Sequence, residues 1–348
     1  MVKNSETKEQ ELISKIKTFY KITDFKSEIL DWKFKSDKVI RLLNDSTKIV
    51  IGHPQNSHKG SSLGDILPYT CLPEELHRCY GIKCYIPSHF KDVFKYNPYI
   101  AGIDDNVQLW GSLGSFGTTV QRTCNVWGIK TKFYSPFLYY DYNHDSKLII
   151  TSINSNTGGT LNNYISELSD VFNCLKDLGY YIIQIGTNKD KIIPNLNKYC
   201  FNLQFDQLVH LISCGSYYIG IQNSLYHLSK SLDLKVIGIL PSNIDPFFVK
   251  LPFLTQCNLL ETNMLSESDH NRINNWITFV KNNNKNPNDS HHIGWLYPDS
   301  VHLTVRDTNS EFCPKFNIQN IIRALNNQIY PYSNPIFYNY YVNSNYWD

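Results

Sequence analysis

The chain contains no Asp-x-Asp pair, no Cys-x-x-Cys pair and no apolar run long enough to cross a bilayer. Each absence closes off a class. Without paired carboxylates at that spacing, the usual clamp for a divalent ion on a diphosphate is missing. The nine cysteines stand singly and are odd in number, which argues against a disulfide framework and against a zinc site of familiar spacing. The longest apolar stretches, YYIIQIG and KVIGIL, have the length of strands. The first residues, MVKNSETKEQELISKIK, are polar and lack an apolar leader segment, so the expected compartment is the cytoplasm. Strong charge is lacking too. A formal net charge of +2 gives no field that selects nucleic acid or an anionic membrane.

What is present is an alternation of short strands and helices. At 348 residues the chain can fill two domains, each with its own core. Residues 1–45 read as a helical preamble, through ELISKIKTFYKI. KIVIG (48–52) begins a first strand–helix–strand series. A polar, glycine-containing loop follows, then a helix through PEELHRCYG ending at Gly81, a strand KCYIP (83–87), and a short helix FKDVFKY. A second series starts near residue 147: strands KLIITSI, YYIIQIG, YYIGI and KVIGIL, with helices LNNYISELSDVFNCLKDLG, FDQLVHLISC and SLYHLSKSLD between them. Such repetition predicts a doubly wound parallel sheet. The expected divisions are 46–145 and 146–290, joined near DYNHDSK (141–147). A final segment, 291–348, holds the helix FNIQNIIRALNN and a Tyr- and Asn-rich tail. The helix NRINNWITFVKN is expected before it. Tandem domains of this kind also describe binding proteins and epimerases, so the architecture alone does not decide function.

Three constellations carry chemistry. K-G-S-S-L-G-D, with Lys59, Ser61, Ser62 and Asp65, lies in the loop after the first strand, where an open α/β sheet binds its ligands. Asp65 there either caps the next helix or accepts a proton from an attacking hydroxyl. S-I-N-S-N-T-G-G-T (152–160) precedes a long helix, and its hydroxyls and amides suit an anion. It has neither the lysine of a Walker loop nor GxGxxG spacing. The third runs from Tyr217 to Pro246. One strand delivers Gln222, Asn223 and Ser224 to a helix start, with His227 a turn on, and the next brings Pro241 to the same edge. Read alone, His227 is an ordinary hydrogen-bonded helix histidine.

This third stretch resembles the donor-site motif of glycosyltransferase family 9, the bacterial heptosyltransferases, whose form is roughly G-x-D-S-G-x-x-H-L-x-x-A-L-G followed by G-P-T-D-P. GSSLGDILPYTCLPEEL is similar to that family's G-D-x-x-x-x-x-P entry, and FKYNPYIAGID to its NPY-V-D segment. The K-G-S-S-L-G-D wording is especially similar to that of the autotransporter heptosyltransferases. The likeness covers residues 48–250, and it departs where Asp-Ser-Gly reads Gln222-Asn223-Ser224 and where the 152–160 loop lacks the family's lysine.

The resemblance implies an α/β GT-B fold, two Rossmann-like domains facing a central cleft. The C-terminal domain would hold a nucleotide-sugar donor and the N-terminal one an acceptor: a glycan, a protein or a modified nucleic acid base. It implies inverting transfer with no metal and no cofactor, with Asp65 as the base. Ser152, Asn154, Asn156, Thr157 and Gly158 would form the phosphate loop. Gly186, Thr187 and Asp190 would lie toward the ribose, and Gln222, Asn223, Ser224 and His227 at the diphosphate. Lys59, Ser61 and Ser62 would face the acceptor. The rival readings are an inactive nucleotide-sugar or glycan binding module and a sugar-nucleotide epimerase of the same fold.

Overall fold

The computed structural model describes residues 50–52, 63–105, 109–110, 120, 123–124, 129, 131, 133, 135–155, 159–241, 297, 300–305 and 314–328. The expected N-terminal helix, the helix NRINNWITFVKN and the Tyr-rich tail lie outside them.

Among the described residues the N-terminal part has four short strands: β1 (Ile51–Gly52), β2 (Cys84–Ile86), β3 (Ile100–Ile103) and β4 (Leu109–Trp110). β1 pairs with β4 and β2 with β3, all in parallel, and a parallel bridge from Val50 to Tyr85 ties the two pairs together. Between β1 and β2 stand α1 (Leu63–Ile66), a 3₁₀ turn (Leu67–Tyr69) and α2 (Leu72–Tyr80). Pro68 and Pro73 start their segments where a missing N–H is harmless. Gly81 closes α2 with φ at 71°, and its N–H donates to His77 O. The short helix expected over FKDVFKY is not regular. Ser88–Phe90 forms a 3₁₀ turn and irregular turns follow to Tyr96. Pro98 disfavours helical backbone at Asn97, so these turns cannot extend into a longer helix.

The C-terminal part is one six-stranded, wholly parallel sheet. Its strands are β5 (Leu148–Thr151), β8 (Tyr181–Gly186), β9 (Lys198–Phe201), β10 (Tyr217–Ile221), β11 (Lys235–Leu240) and β12 (Val301–Thr304). A small antiparallel ladder, β6 (Asn154–Ser155) with β7 (Gly159–Thr160), sits above β5. The spatial order is β12-β11-β10-β5-β8-β9. In chain order that is the 3-2-1-4-5-6 arrangement of a dinucleotide-type doubly wound sheet.

Alternation along the strands builds two cores. Ile149, Ile182, Ile219, Ile237, Ile239 and Leu303 face one side, against α3 (Ile165–Asp177) and α6 (Ile318–Leu325). Ile150, Ile183, Ile185, Tyr218 and Val236 face the other, against α4 (Phe205–Ser213) and α5 (Ser224–Ser231).

Two features correct the expected organisation. β9 and β12 were not foreseen. β12 pairs with β11, and α6 packs in the same core as β5, so the sheet runs past the boundary expected at 290. The N-terminal part is also not self-contained. Leu67, fully buried, and Leu138 lie in the core formed by α4, α5, β10 and β11.

Candidate active site

In a sheet of this order the crevice opens where neighbouring strands send their chains to opposite faces. Here those strands are β5, which leads to α3, and β10, which leads to α5. Past their carboxyl ends the two chains stay joined by a polar corner centred on Asn223.

Asn223 is the N-cap of α5, and its Oδ1 accepts from Leu225 N at 2.9 Å and Tyr226 N at 3.1 Å. Its Nδ2 donates to Ser152 Oγ at 2.9 Å and to Asn154 O at 2.7 Å, across the crevice floor. Tyr218 approaches from below, its hydroxyl donating to Ile221 O at 2.7 Å and to Asn223 Oδ1 at 3.2 Å. Burial pushes that phenol well above its usual 10, so it stays a donor. Ile221 N donates to Ser152 O at 2.9 Å. Gly220 is what allows the close approach. A Cβ there would stand 2.4 Å from Ser152 O and 2.9 Å from Ser152 N.

The corner extends to β8. Asn154 Nδ2 donates to Asp190 Oδ1 at 2.7 Å, and Thr187 N donates to Asp190 Oδ2 at 2.7 Å. Asp190 thus closes its own turn and orients Asn154. The bare Cα of Gly186 leaves room for that carboxylate, which a Cβ would meet at 2.1 Å. Gln222 differs from all of these. It is 7% exposed, and its amide makes no hydrogen bond with any described residue. Among the described residues of the corner it is the side-chain amide that the fold itself does not use, and no sequence signal sets it apart from Asn223.

The N-terminal part reaches the same corner. Gly64 N donates to Ser224 Oγ at 3.3 Å, which brings α1 onto the first residue of α5. Asp65, half-buried, is the next residue of α1. It does not cap α2, whose N-cap is Cys71. Asp65 lies close enough to Tyr69 for its charge to add to the burial that raises that phenol.

His227 lies elsewhere. It is 4% exposed, its Nδ1 sits 2.7 Å from Tyr297 Oη, and burial lowers its pKa from 6.5 to about 3. Tyr226 Oη sits 3.0 Å from His302 Nε2, and the Tyr226 and Tyr297 rings stack at 5.6 Å. These four side chains form a sealed network under α5. Burial therefore keeps the His227 ring neutral, and it brings no positive charge to the crevice. Its Nδ1 is thus engaged by Tyr297, while Asn223 and Ser224 reach toward the loop after β5 and toward α1. Neither Tyr297 as the partner of His227 nor His302 as that of Tyr226 was anticipated.

Lys59, Ser61, Ser62, Asn156, Thr157 and Gly158 lie outside the described residues. Among the described residues no three His, Cys, Asp or Glu come together as metal ligands, and no helix is long and apolar enough to cross a membrane.

No family model matches the sequence, and no curated protein matches it. Among solved structures, the iron-containing dodecameric glycosyltransferase TibC from enterotoxigenic E. coli H10407 superposes with a TM-score of 0.45 at 16% identity, covering 56% of this chain and 58% of TibC. E. coli ADP-heptose lipopolysaccharide heptosyltransferase II gives 0.47 at 12% identity, over 81% of this chain and 98% of its own. A glycosyl transferase family 9 protein from Veillonella parvula DSM 2008 gives 0.42 at 12%, over 67% and 95%. The match spans less than two thirds of TibC. Likenesses of this size describe a similar chain path and carry no argument about chemistry.

Proposed function

We propose that this chain is a glycosyltransferase that moves a sugar from a nucleotide-sugar donor to an acceptor hydroxyl, with inversion and without a metal ion. The observation that carries the reading is the Gly64–Ser224 hydrogen bond, which brings the helix bearing Asp65 to the crevice between β5 and β10. One carboxylate then borders the place where a doubly wound sheet binds a nucleotide.

In this reading Asp65 accepts the proton of the acceptor hydroxyl while its oxygen attacks the anomeric carbon. The nucleoside diphosphate leaves toward the loop between β5 and α3. Backbone amides there, the α3 end of the loop and the Gln222 amide meet the developing charge. Asn154 and Asp190 shape the ribose side. Donor contacts from Asn156, Thr157 and Gly158, and acceptor contacts from Lys59, Ser61 and Ser62, belong to the same proposal. Metal independence rests on the missing Asp-x-Asp pair. The acceptor remains one of three classes: glycan, protein or modified base.

The test is release of nucleoside diphosphate by purified protein offered a panel of nucleotide sugars with and without acceptors. Asp65→Asn lowers turnover by ~10² to 10⁴ and leaves diphosphate affinity unchanged. Chelation by EDTA leaves turnover unchanged. Half of the activity surviving in Asp65→Asn removes the base. Loss on chelation, restored by magnesium or manganese, removes the metal-free mechanism. Binding of a nucleotide sugar with no turnover of any donor marks a binding module, a reading favoured by the internal engagement of the Asn223 amide.

A further inference from the structure

The segment Leu63–Thr70 belongs to two cores at once. Ile66 and Tyr69 are buried among Leu72, Leu76, Phe90 and Phe94 in the N-terminal part. Leu67, between them, is buried among Tyr218, Tyr226, Leu228 and Leu232 in the C-terminal part. A helical turn places residues 66 and 67 about 100° apart, so one short rod presents separate faces to separate cores. Packing on both sides fixes the rod against sliding along either. Its rotation about its own axis, which aims Asp65, is set by a directional contact. Gly64 N to Ser224 Oγ, 3.3 Å, is the hydrogen bond that joins it to α5.

We propose that Ser224 is a positioning residue: its hydroxyl sets the register of the Leu63–Thr70 rod on α5 and so aims Asp65 at the crevice. The chemistry of Ser224 suits this role. Its Oγ accepts from a backbone N–H of the other half of the chain, while the capping of α5 is done by Asn223 alone. An alanine at 224 therefore leaves the helix capped and removes only the link. The other links lie away from Asp65: Phe137 N donates to Thr70 Oγ1 at 3.1 Å and Leu138 N to Ser231 O at 2.9 Å, at the far ends of the rod and of α5, and the ion pair of Lys95 with Asp206 at 3.2 Å is exposed and solvated. This assignment rests on the glycosyltransferase reading for its consequence, and on the rod's geometry for its mechanism.

The experiment compares the full chain with Ser224→Ala and Ser224→Thr. Hydrogen–deuterium exchange of the peptide spanning residues 63–70 reads the link without any turnover. Titration with a nucleoside diphosphate reads the donor site, and turnover reads the aim of Asp65. The expected result for Ser224→Ala is roughly tenfold faster exchange in 63–70, a roughly tenfold lower kcat, and a diphosphate Kd within twofold of the parent. Threonine, which keeps the hydroxyl, restores both exchange and kcat. A Kd weakened in step with kcat makes Ser224 a ligand contact and overturns the assignment. Unchanged exchange in 63–70 overturns it as well. If the parent chain turns over no donor, the transferase reading fails by itself, while exchange still decides whether Ser224 holds the rod.

Discussion

The first turn of α5 has two ends with opposite fates, three residues apart. At its start, Asn223 and Ser224 are half-buried and reach out, to the loop after β5 and to α1. One turn on, Tyr226 and His227 are buried, Tyr226 bonded to His302 and His227 to Tyr297. The same sequence motif thus supplies a mouth and a foundation. The reason is geometric. A cap residue has extended backbone and projects along the helix axis, whereas the fourth helical residue projects sideways, into whatever the helix packs on. Polarity does not tell them apart, because a histidine can satisfy itself with a buried tyrosine as well as with a ligand.

The sharpest way to break the mouth is at its base. Gly220→Ala places a methyl 2.4 Å from Ser152 O, a backbone atom with no rotamer to move. Overpacking of that kind costs ~1–3 kcal/mol, and a contact with backbone belongs at the top of that range. The corner must also shift, so nucleoside diphosphate binding is lost together with the stability. Chemical denaturation and calorimetry check the two effects. A variant as stable as the parent that still binds means that the corner is looser than the Ser152–Ile221 bond implies.

Acid attacks the foundation instead. His227 has a folded pKa near 3 against 6.5 unfolded, because burial disfavours the charged ring. Between those values the unfolded chain binds the extra proton, so stability rises with pH through this window. The contribution is intact above about pH 6.5 and is lost as pH falls toward 3, at no more than about 1.4 kcal/mol per pH unit. His227→Gln removes the titration and flattens that limb. Denaturant midpoints measured from pH 7 to pH 4 decide it, and equal slopes in parent and variant place the acid sensitivity in other groups.

Much of this was legible beforehand, and the gaps have physical causes. The strands KLIITSI, YYIIQIG, YYIGI and KVIGIL are runs of β-branched and aromatic residues buried on both faces, which is the pattern of a central parallel strand. β9 and β12 are four residues each and sit at the two edges of the sheet. KYCF and VHLT carry too short a signal to separate from loop. Asn223 read in sequence as one of three polar residues at a helix start, and its grip on Ser152 depends on a pairing of strands 68 residues apart. Gln222 looked equivalent to it, because contact with the loop is a property of direction and not of composition. Tyr297 and His302, which bond to His227 and Tyr226 respectively, come from beyond residue 296, and no local pattern links them to α5. Leu67 read as one more apolar residue near a helix. Its role as the bridge between two cores follows only from the packing of α1 on α5.

The smallest expected effect separates capping from bridging at Asn223. Serine caps a helix about as well as asparagine, so Asn223→Ser keeps an acceptor for Leu225 N and Tyr226 N. What it loses is reach, because a hydroxyl one bond from Cβ cannot extend two donors to Ser152 Oγ and Asn154 O. A half-buried hydrogen bond contributes ~0.5–1.5 kcal/mol, and water replaces part of it here, so the net loss is about 1 kcal/mol. The sealed network under α5 is untouched, so the acid limb set by His227 keeps its slope. Diphosphate affinity falls about fivefold as the loop after β5 loosens, which is the same free energy read at the mouth. Denaturation at pH 7 and at pH 4, with calorimetry on a nucleoside diphosphate, measures all three. If Asn223→Ser matches the parent in stability and affinity, the bonds across the crevice contribute nothing and Asn223 is only a cap. If the acid limb changes as well, mouth and foundation are one cooperative unit, and the contrast between the two ends of the turn dissolves.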